Sequence, residues 1–384
     1  MQPASDYEGP DGTARFRRDL TGWMDEEGGA LETESDGAGL AEVVGRTRRN
    51  QQKLWETGWL RYGWPASVGG FGGPAILRAA VAEEIALRGL GYDSVFATGE
   101  VLGPTVIQVA PELAAEYLQP FLSGAEGWGQ GFSEPDAGSD LASLRCRAVD
   151  AGDHWVVTGQ KIWTSYGQFA SKIVLLTRTG TPESRHRGIT AMLVDMDAPG
   201  VTARPLRGMN DQDEFSETFF DGVHVPKRRV IGEVDGGWAV AMSILRSERG
   251  AIFWMMAARL LRSFHRQIRE AKLDSMSDES LGHAFASIAA LRARSWTTQH
   301  RMNADAIQTP ETSIDKILMA TAEQELFDMV QSTMAGALEF HDSNRVNDLR
   351  SQYMYSRAAS IYGGAAEIQR NIVADQLLGL RSLR

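Results

Sequence analysis

One stretch of this sequence can bring bare backbone against a ligand: residues 358–380, Ala-Ala-Ser-Ile-Tyr-Gly-Gly-Ala-Ala-Glu-Ile-Gln-Arg-Asn-Ile-Val-Ala-Asp-Gln-Leu-Leu-Gly-Leu. It reads as a helix running into a break at Gly363-Gly364, then a second helix from about Ala365 with Ile368, Ile372 and Leu377 on one side. Glycine has no Cβ, so this pair allows close approach, although two glycines between helices are ordinarily a cap and a turn. Other routes to chemistry are missing from the motifs. The seven histidines are scattered, with no His-Glu-x-x-His or paired-cysteine spacing for a metal. There is no Gly-x-Ser-x-Gly elbow and no P-loop. The chemistry therefore points to a bound organic cofactor.

The elements that must position such a site follow from composition and period. With 384 residues, 43% hydrophobic and 23% charged, the chain has the make-up of a globular protein with room for two or three domains. A formal net charge of -11 and the lack of a dense basic stripe argue against a nucleic-acid partner; Arg48-Arg49 and Arg228-Arg229 read as solvated faces. A single cysteine, Cys146, cannot form an intrachain disulfide, which suits a reducing cytoplasm. The first thirty residues show no basic start followed by an apolar run, so no signal peptide is visible. No apolar run reaches membrane length.

The period predicts an N-terminal helical domain over residues 1–123, with helices at 13–27, 40–57, 74–88, 101–109 and 111–121, the third opened by Pro74 in its first turn. Residues 59–73 hold too much glycine and proline for a regular element. Because Gly69 to Gly73 follow no predicted strand, they read as packing and turn chemistry rather than a dinucleotide cradle. The period then shortens. Runs at 155–158, 161–164, 172–177, 189–195 and 217–220 predict a middle β domain over 124–235, the size of one barrel or sandwich. Helical period returns in four long segments, 238–272, 281–306, 313–338 and 345–379, which predict a C-terminal four-helix bundle over 236–384. The fold class is α+β.

Two long tracts, in this order, carry a family resemblance. The first is Gln130-Gly131-Phe132-Ser133-Glu134-Pro135-Asp136-Ala137-Gly138-Ser139-Asp140, and the second is the glycine-pair stretch already quoted. The chain resembles the acyl-CoA dehydrogenase family from about Trp55 to Leu380. The resemblance implies FAD held between the β domain and the bundle. It implies that a base takes a proton from Cα of an acyl thioester while hydride passes from Cβ to flavin N5, giving the trans-2-enoyl thioester. It further implies an acyl-CoA or acyl-carrier substrate, an electron-transfer flavoprotein or similar acceptor, and a homo- or hetero-oligomer.

Carried over residue by residue, the resemblance puts Gln130, Phe132 and Ser133 at the flavin ring, Trp163 packed beside it, and Thr164 or Ser165 as the hydroxyl near N5. Gly364, Ala365 and Glu367 go with the cofactor as well. Ser139 falls at the thioester end, with Leu245, Arg249 and Tyr362 around the substrate. Without that context Trp163 reads as a half-buried strand tryptophan. The base is the point of departure: the commonest family pattern has Tyr-Glu-Gly where this chain has Tyr362-Gly363-Gly364. A minority of the family takes its carboxylate from the first bundle helix in a Leu-x-x-Glu-Arg pattern, matched by Leu245-Arg246-Ser247-Glu248-Arg249. The resemblance thus makes Glu248 the base and the Gly363 N–H a donor to the enolate oxygen, alongside a flavin ribityl hydroxyl. Such a base works only if desolvation raises its basicity and the enolate is hydrogen-bonded. Read alone, Glu248 is a solvated helix glutamate.

Two elements that reach a neighbouring subunit's FAD in the family depart here. The Arg-x-x-Phe-Gly element is not reproduced in residues 269–276, and a Phe-Gly-Gly-Asn-Gly-like loop is reduced to Ala335-Gly336-Ala337-Leu338-Glu339. Ala365 replaces a threonine. Two rival readings follow: a non-catalytic or half-site subunit of a heteromeric acyl-CoA dehydrogenase, and an oxygen-using acyl-CoA oxidase.

Overall fold

The computed structural model describes residues 2–34, 36–91, 93–270, 277–304, 309–334 and 336–380. Most of the 269–276 element, and Ala335 of the reduced loop, lie outside these residues. The chain divides into two compact units, residues 1–97, 209–211 and 248–384 in one and 98–208 and 212–247 in the other.

The first unit is helical. It holds α1 (Gly12–Glu26), α2 (Leu40–Glu56) and α3 (Ile76–Arg88), and, from residue 248 onward, the long α6 (Gly237–Glu270). Behind α6 come α7 (Asp278–Asn303), α8 (Thr309–Thr333), the short α9 (Ala337–Phe340), α10 (Asn344–Ser356) and α11 (Ala366–Ile372). On α6, Phe253, Met256, Ala257, Leu260 and Phe264 recur at helical spacing and share one core with Ile288 and Leu291 of α7, Met319 and Leu326 of α8 and Leu349 of α10. That core is the expected bundle. Buried Glu83 of α3 ties it to the N-terminal helices, pairing with Arg17 of α1 and with Arg292 of α7 at 2.6 Å.

Several helix boundaries differ from the sequence reading; the helix expected at 101–109 runs Asp93–Val109. The third helix starts at Ile76, two residues beyond Pro74, with Ala75 as its N-cap. The fourth bundle segment, 345–379, breaks at the glycine pair as read from the sequence, but the helix ahead of it ends early: α10 stops at Ser356, tightens into a 3₁₀ turn over Arg357–Ser360, and helix resumes at Ala366. Gly363 and Gly364, at φ +63° and +99°, cannot continue a right-handed helix.

The second unit is built on one mixed sheet of β1 (Trp128–Gly131), β2 (Arg147–Asp150), β3 (His154–Ser165), β4 (Lys172–Arg178), β5 (Ile189–Asp195), β6 (Val201–Leu206), β7 (Phe215–Pro226) and β8 (Val230–Ile231). Its order is β6-β7-β3-β2-β4-β5-β8, with β1 parallel to β4. The unit also contains α5 (Pro111–Leu122) and most of α4 (Asp93–Val109). Phe121 stacks on Trp128 at 4.8 Å, joining α5 to the sheet. The two strands expected at 155–158 and 161–164 are a single strand, β3, with register shifts against β7 at Val157/Gly159 and Lys161/Thr164. What looked like a break is Gly159, where an added Cβ would come within 2.6 Å of Cys146 Cα. Cys146 sits in the sheet core, where burial pushes its thiol up to about 11 and leaves it inert.

Candidate active site

α6 enters the helical unit at Glu248, which is half-buried, followed by the buried Arg249. Facing them is the glycine turn. A Cβ on Gly363 would lie 3.1 Å from Glu248 Oε1 and 3.6 Å from Lys316 Cε. The Glu248 carboxylate therefore stands where a residue-363 side chain would begin, and a second carboxylate rooted there would meet it at contact distance with like charge. Arg249 Nε donates to the Gly363 carbonyl at 3.2 Å. Burial lowers the Arg249 pKa, and the nearby Glu248 carboxylate partly opposes that shift. A Cβ on Gly364 would run into Gln369 Nε2, so the α11 side chain lies flush on that glycine.

Beneath the turn, Lys316 of α8 is 1% exposed. Its ammonium donates to the Ala359 carbonyl and lies 4.3 Å from the centroid of the Tyr362 ring. Tyr362 Oη donates to Glu323 Oε2 at 2.9 Å, and Arg259 Nη2 donates to Glu323 Oε1 at 2.9 Å. The Tyr362 hydroxyl and one face of its ring thus brace the turn from below. Sequence reasoning missed Lys316 and Glu323. The available signal was their spacing: Lys316, Met319 and Glu323 share the buried face of α8 at i, i+3 and i+7.

In the β unit, Trp163 stands 58% exposed at φ +63°, and Tyr166 follows at +53°. Left-handed backbone costs a residue with a Cβ about 1–2 kcal/mol. Buried polar anchors hold it on both sides. Lys161 Nζ donates to Glu134 Oε1 at 2.7 Å and to the Phe132 carbonyl at 3.0 Å. Glu134 also accepts from the N–H groups of Arg145 at 2.6 Å and Cys146 at 2.8 Å. Tyr166 donates its N–H to the Glu214 carbonyl and its hydroxyl to Glu214 Oε1, both at 2.8 Å. Phe215 meets the Trp163 indole edge-on at 5.8 Å. The strand is thus locked in a shape that presents the indole outward, not the half-buried tryptophan of an ordinary strand.

Of the two hydroxyls expected near the flavin, Ser165 is exposed while Thr164 is fully buried. Thr164 Oγ1 is enclosed in the unit, with no hydrogen-bond partner among the described residues, because strand alternation turns it away from the face that carries Ser165. Phe132 is buried, Gln130 and Ser133 are half-buried, and the Ser133 carbonyl already accepts from Ile162 N–H at 3.0 Å. Ser139 is exposed beside Asp140, which pairs with Arg185 at 2.7 Å. Leu245 is half-buried on α6. Ala365 is the N-cap of α11, and Glu367 is exposed in its first turn. No group of three metal-ligating side chains occurs among the described residues. No helix among them is long and apolar enough to cross a membrane.

Helices, a mixed sheet and a long-helix bundle, with a carboxylate set against a bare glycine turn, define an oxidoreductase of the flavoprotein kind. Profiles of three domains match in order: the acyl-CoA dehydrogenase N-terminal domain over residues 14–125, the middle domain over 129–223 and the C-terminal domain over 235–378. The chain belongs to the acyl-CoA dehydrogenase family. It is 34% identical to acyl-CoA dehydrogenase IpdE1 of Mycolicibacterium smegmatis over 88% of this chain and 89% of that one. It is 33% identical to IpdE1 of Mycobacterium tuberculosis over 95% and 97%. Among solved structures it is similar to the Tcur3481-Tcur3483 steroid ACAD, with a TM-score of 0.83, 27% identity and coverage of 98% and 99%. It is also similar to the ChsE4-ChsE5 complex of Mycobacterium tuberculosis, with a TM-score of 0.81, 25% identity and coverage of 97% and 99%.

The family is FAD-dependent, and FAD is the cofactor. The residues present fit it. In the sheet unit Trp163 offers an exposed aromatic face and Ser165 an exposed hydroxyl.

Proposed function

We propose that this enzyme dehydrogenates an acyl thioester, bound to CoA or a carrier, across Cα–Cβ, with Glu248 as the general base. The observation that carries the reading is the place of the Glu248 carboxylate, 3.1 Å from where a Gly363 side chain would begin. The base function lost at 363 is thereby recovered in the same space from another helix. FAD, when bound, supplies the hydride acceptor. Glu248 takes the Cα proton, and the Gly363 N–H donates to the thioester oxygen as negative charge builds there. Arg249, through the Gly363 carbonyl, fixes the following peptide of the same turn. Trp163, Ser165, Gln130, Phe132 and Ser133 would hold the ring. The product is the trans-2-enoyl thioester, and electrons leave to an electron-transfer flavoprotein or similar acceptor.

The similarity to a solved steroid ACAD supports a bulky, ring-bearing acyl group. The same relative and the ChsE4-ChsE5 complex each carry two chain names, which favours a second reading in which a companion chain completes the cofactor site.

The test is anaerobic flavin reduction by a panel of acyl-CoAs, straight-chain and steroid-side-chain. Glu248→Gln should keep FAD by absorbance while its reduction rate falls about 10³-fold; reduction at the wild-type rate would remove Glu248 from the base role. Protein that is colourless alone but takes up FAD with a companion chain would support the heteromeric reading.

A further inference from the structure

We propose that Lys316 is a positioning residue of this site: from α8 it fixes the turn that carries Gly363 and sets a positive charge beside the Glu248 carboxylate. The proposal rests on the assignment of Glu248 as the base. Its ground is geometric. Lys316 is 1% exposed, donates to the Ala359 carbonyl at the start of the turn, and faces the Tyr362 ring at 4.3 Å. Its Cε and Glu248 Oε1 converge on one point, the Gly363 Cβ position, from 3.6 and 3.1 Å. A buried ammonium so placed keeps the carboxylate ionised at neutral pH and stabilises the negative charge that develops against the Gly363 N–H during proton transfer.

The charged groups around Lys316 agree with that role. From α6 come Glu248, Arg249 and Arg259, from α8 Glu323, and from the turn Tyr362. Asp315, next to it on α8, is directed instead to Arg294 and Thr298 of α7. Burial pushes the Lys316 ammonium down to about 8, with Glu323 and then Glu248 opposing the shift and Arg249 adding to it. At neutral pH the charge is mostly present, and it is lost as pH rises through 8. The turn then keeps its hydrogen bond but loses the lysine charge.

Wild-type flavin reduction should therefore fall as pH passes about 8. Lys316→Met should be roughly tenfold slower at pH 7, with that alkaline limb gone. Lys316→Arg should recover most of the rate, with the limb displaced upward. Lys316→Met with the wild-type rate and an unchanged limb would overturn the proposal. Should that variant not accumulate, Lys316→Arg decides, an unchanged limb again overturning it. A second readout is independent of activity. A lysine whose folded pKa lies below its unfolded value costs stability while protonated, and the cost is relieved as pH rises between the two values. The melting temperature of wild type should thus gain on that of Lys316→Met from pH 8 to 10.5; no relative gain would mean that Lys316 does not titrate as required. If Glu248→Gln proves fully active while this stability difference persists, the base assignment fails and the buried titrating lysine stands. If Glu248→Gln is inactive and Lys316→Met is indistinguishable from wild type, the lysine proposal alone fails.

Discussion

Of the bends that use left-handed backbone, two are made in opposite ways. Gly363 and Gly364 reach φ +63° and +99° by having no Cβ at all. Trp163 and Tyr166 reach +63° and +53° with full side chains. The first bend is unstrained and leaves a space, which Glu248 enters from α6. The second is strained and projects a large aromatic outward, held on one side by Lys161 and Glu134 and on the other by Glu214. A site can thus be positioned by deleting a side chain or by over-determining a strained one, and this enzyme does each where it suits the group presented.

The largest effect should come from the anchor of the strained bend. Lys161→Met leaves the buried Glu134 carboxylate with only its two amide donors, and the loss should be about 3 kcal/mol. A urea denaturation curve measures it, and an unchanged midpoint would show that the Trp163 bend does not depend on this pair. Next comes Gly363→Ala, which adds a Cβ at positive φ and 3.1 Å from the Glu248 carboxylate. It should cost about 2 kcal/mol and slow flavin reduction about tenfold. A loss of stability without loss of rate would separate the turn from the base. The smallest effect sharpens the contrast most. Trp163→Gly should be more stable than Trp163→Ala by about 1 kcal/mol, because only glycine occupies that backbone freely, while both weaken FAD binding in a titration. Equal stabilities would mean that the bend relaxes once the indole is gone.

Much of this was legible in the linear chain. Helical period marked the bundle, and β period marked the sheet, because both are set by neighbours a few residues apart. The two signature tracts carried the family resemblance, which the matching domains bear out. The chain did not show that β3 is one bulged strand, since a Gly-Gln step inside a strand looks like a turn until Cys146 is seen against it. Nor did it show which of Thr164 and Ser165 faces out, because the bulge between Lys161 and Thr164 resets the alternation.

The sequence by itself determined the element types, the family and the identity of the groups able to do chemistry, all properties of composition and short-range order. Only the tertiary structure decided which of those groups meet. Arg249 and Gly363 are 114 positions apart, and Lys316 lies on a third helix that no local pattern connects to either. Their meeting follows from how the bundle helices pack on their shared core, which brings a carboxylate and the stem of a buried lysine up to one bare turn. Periodicity specifies which face of a helix is buried; it does not specify which residue of another helix will lie opposite.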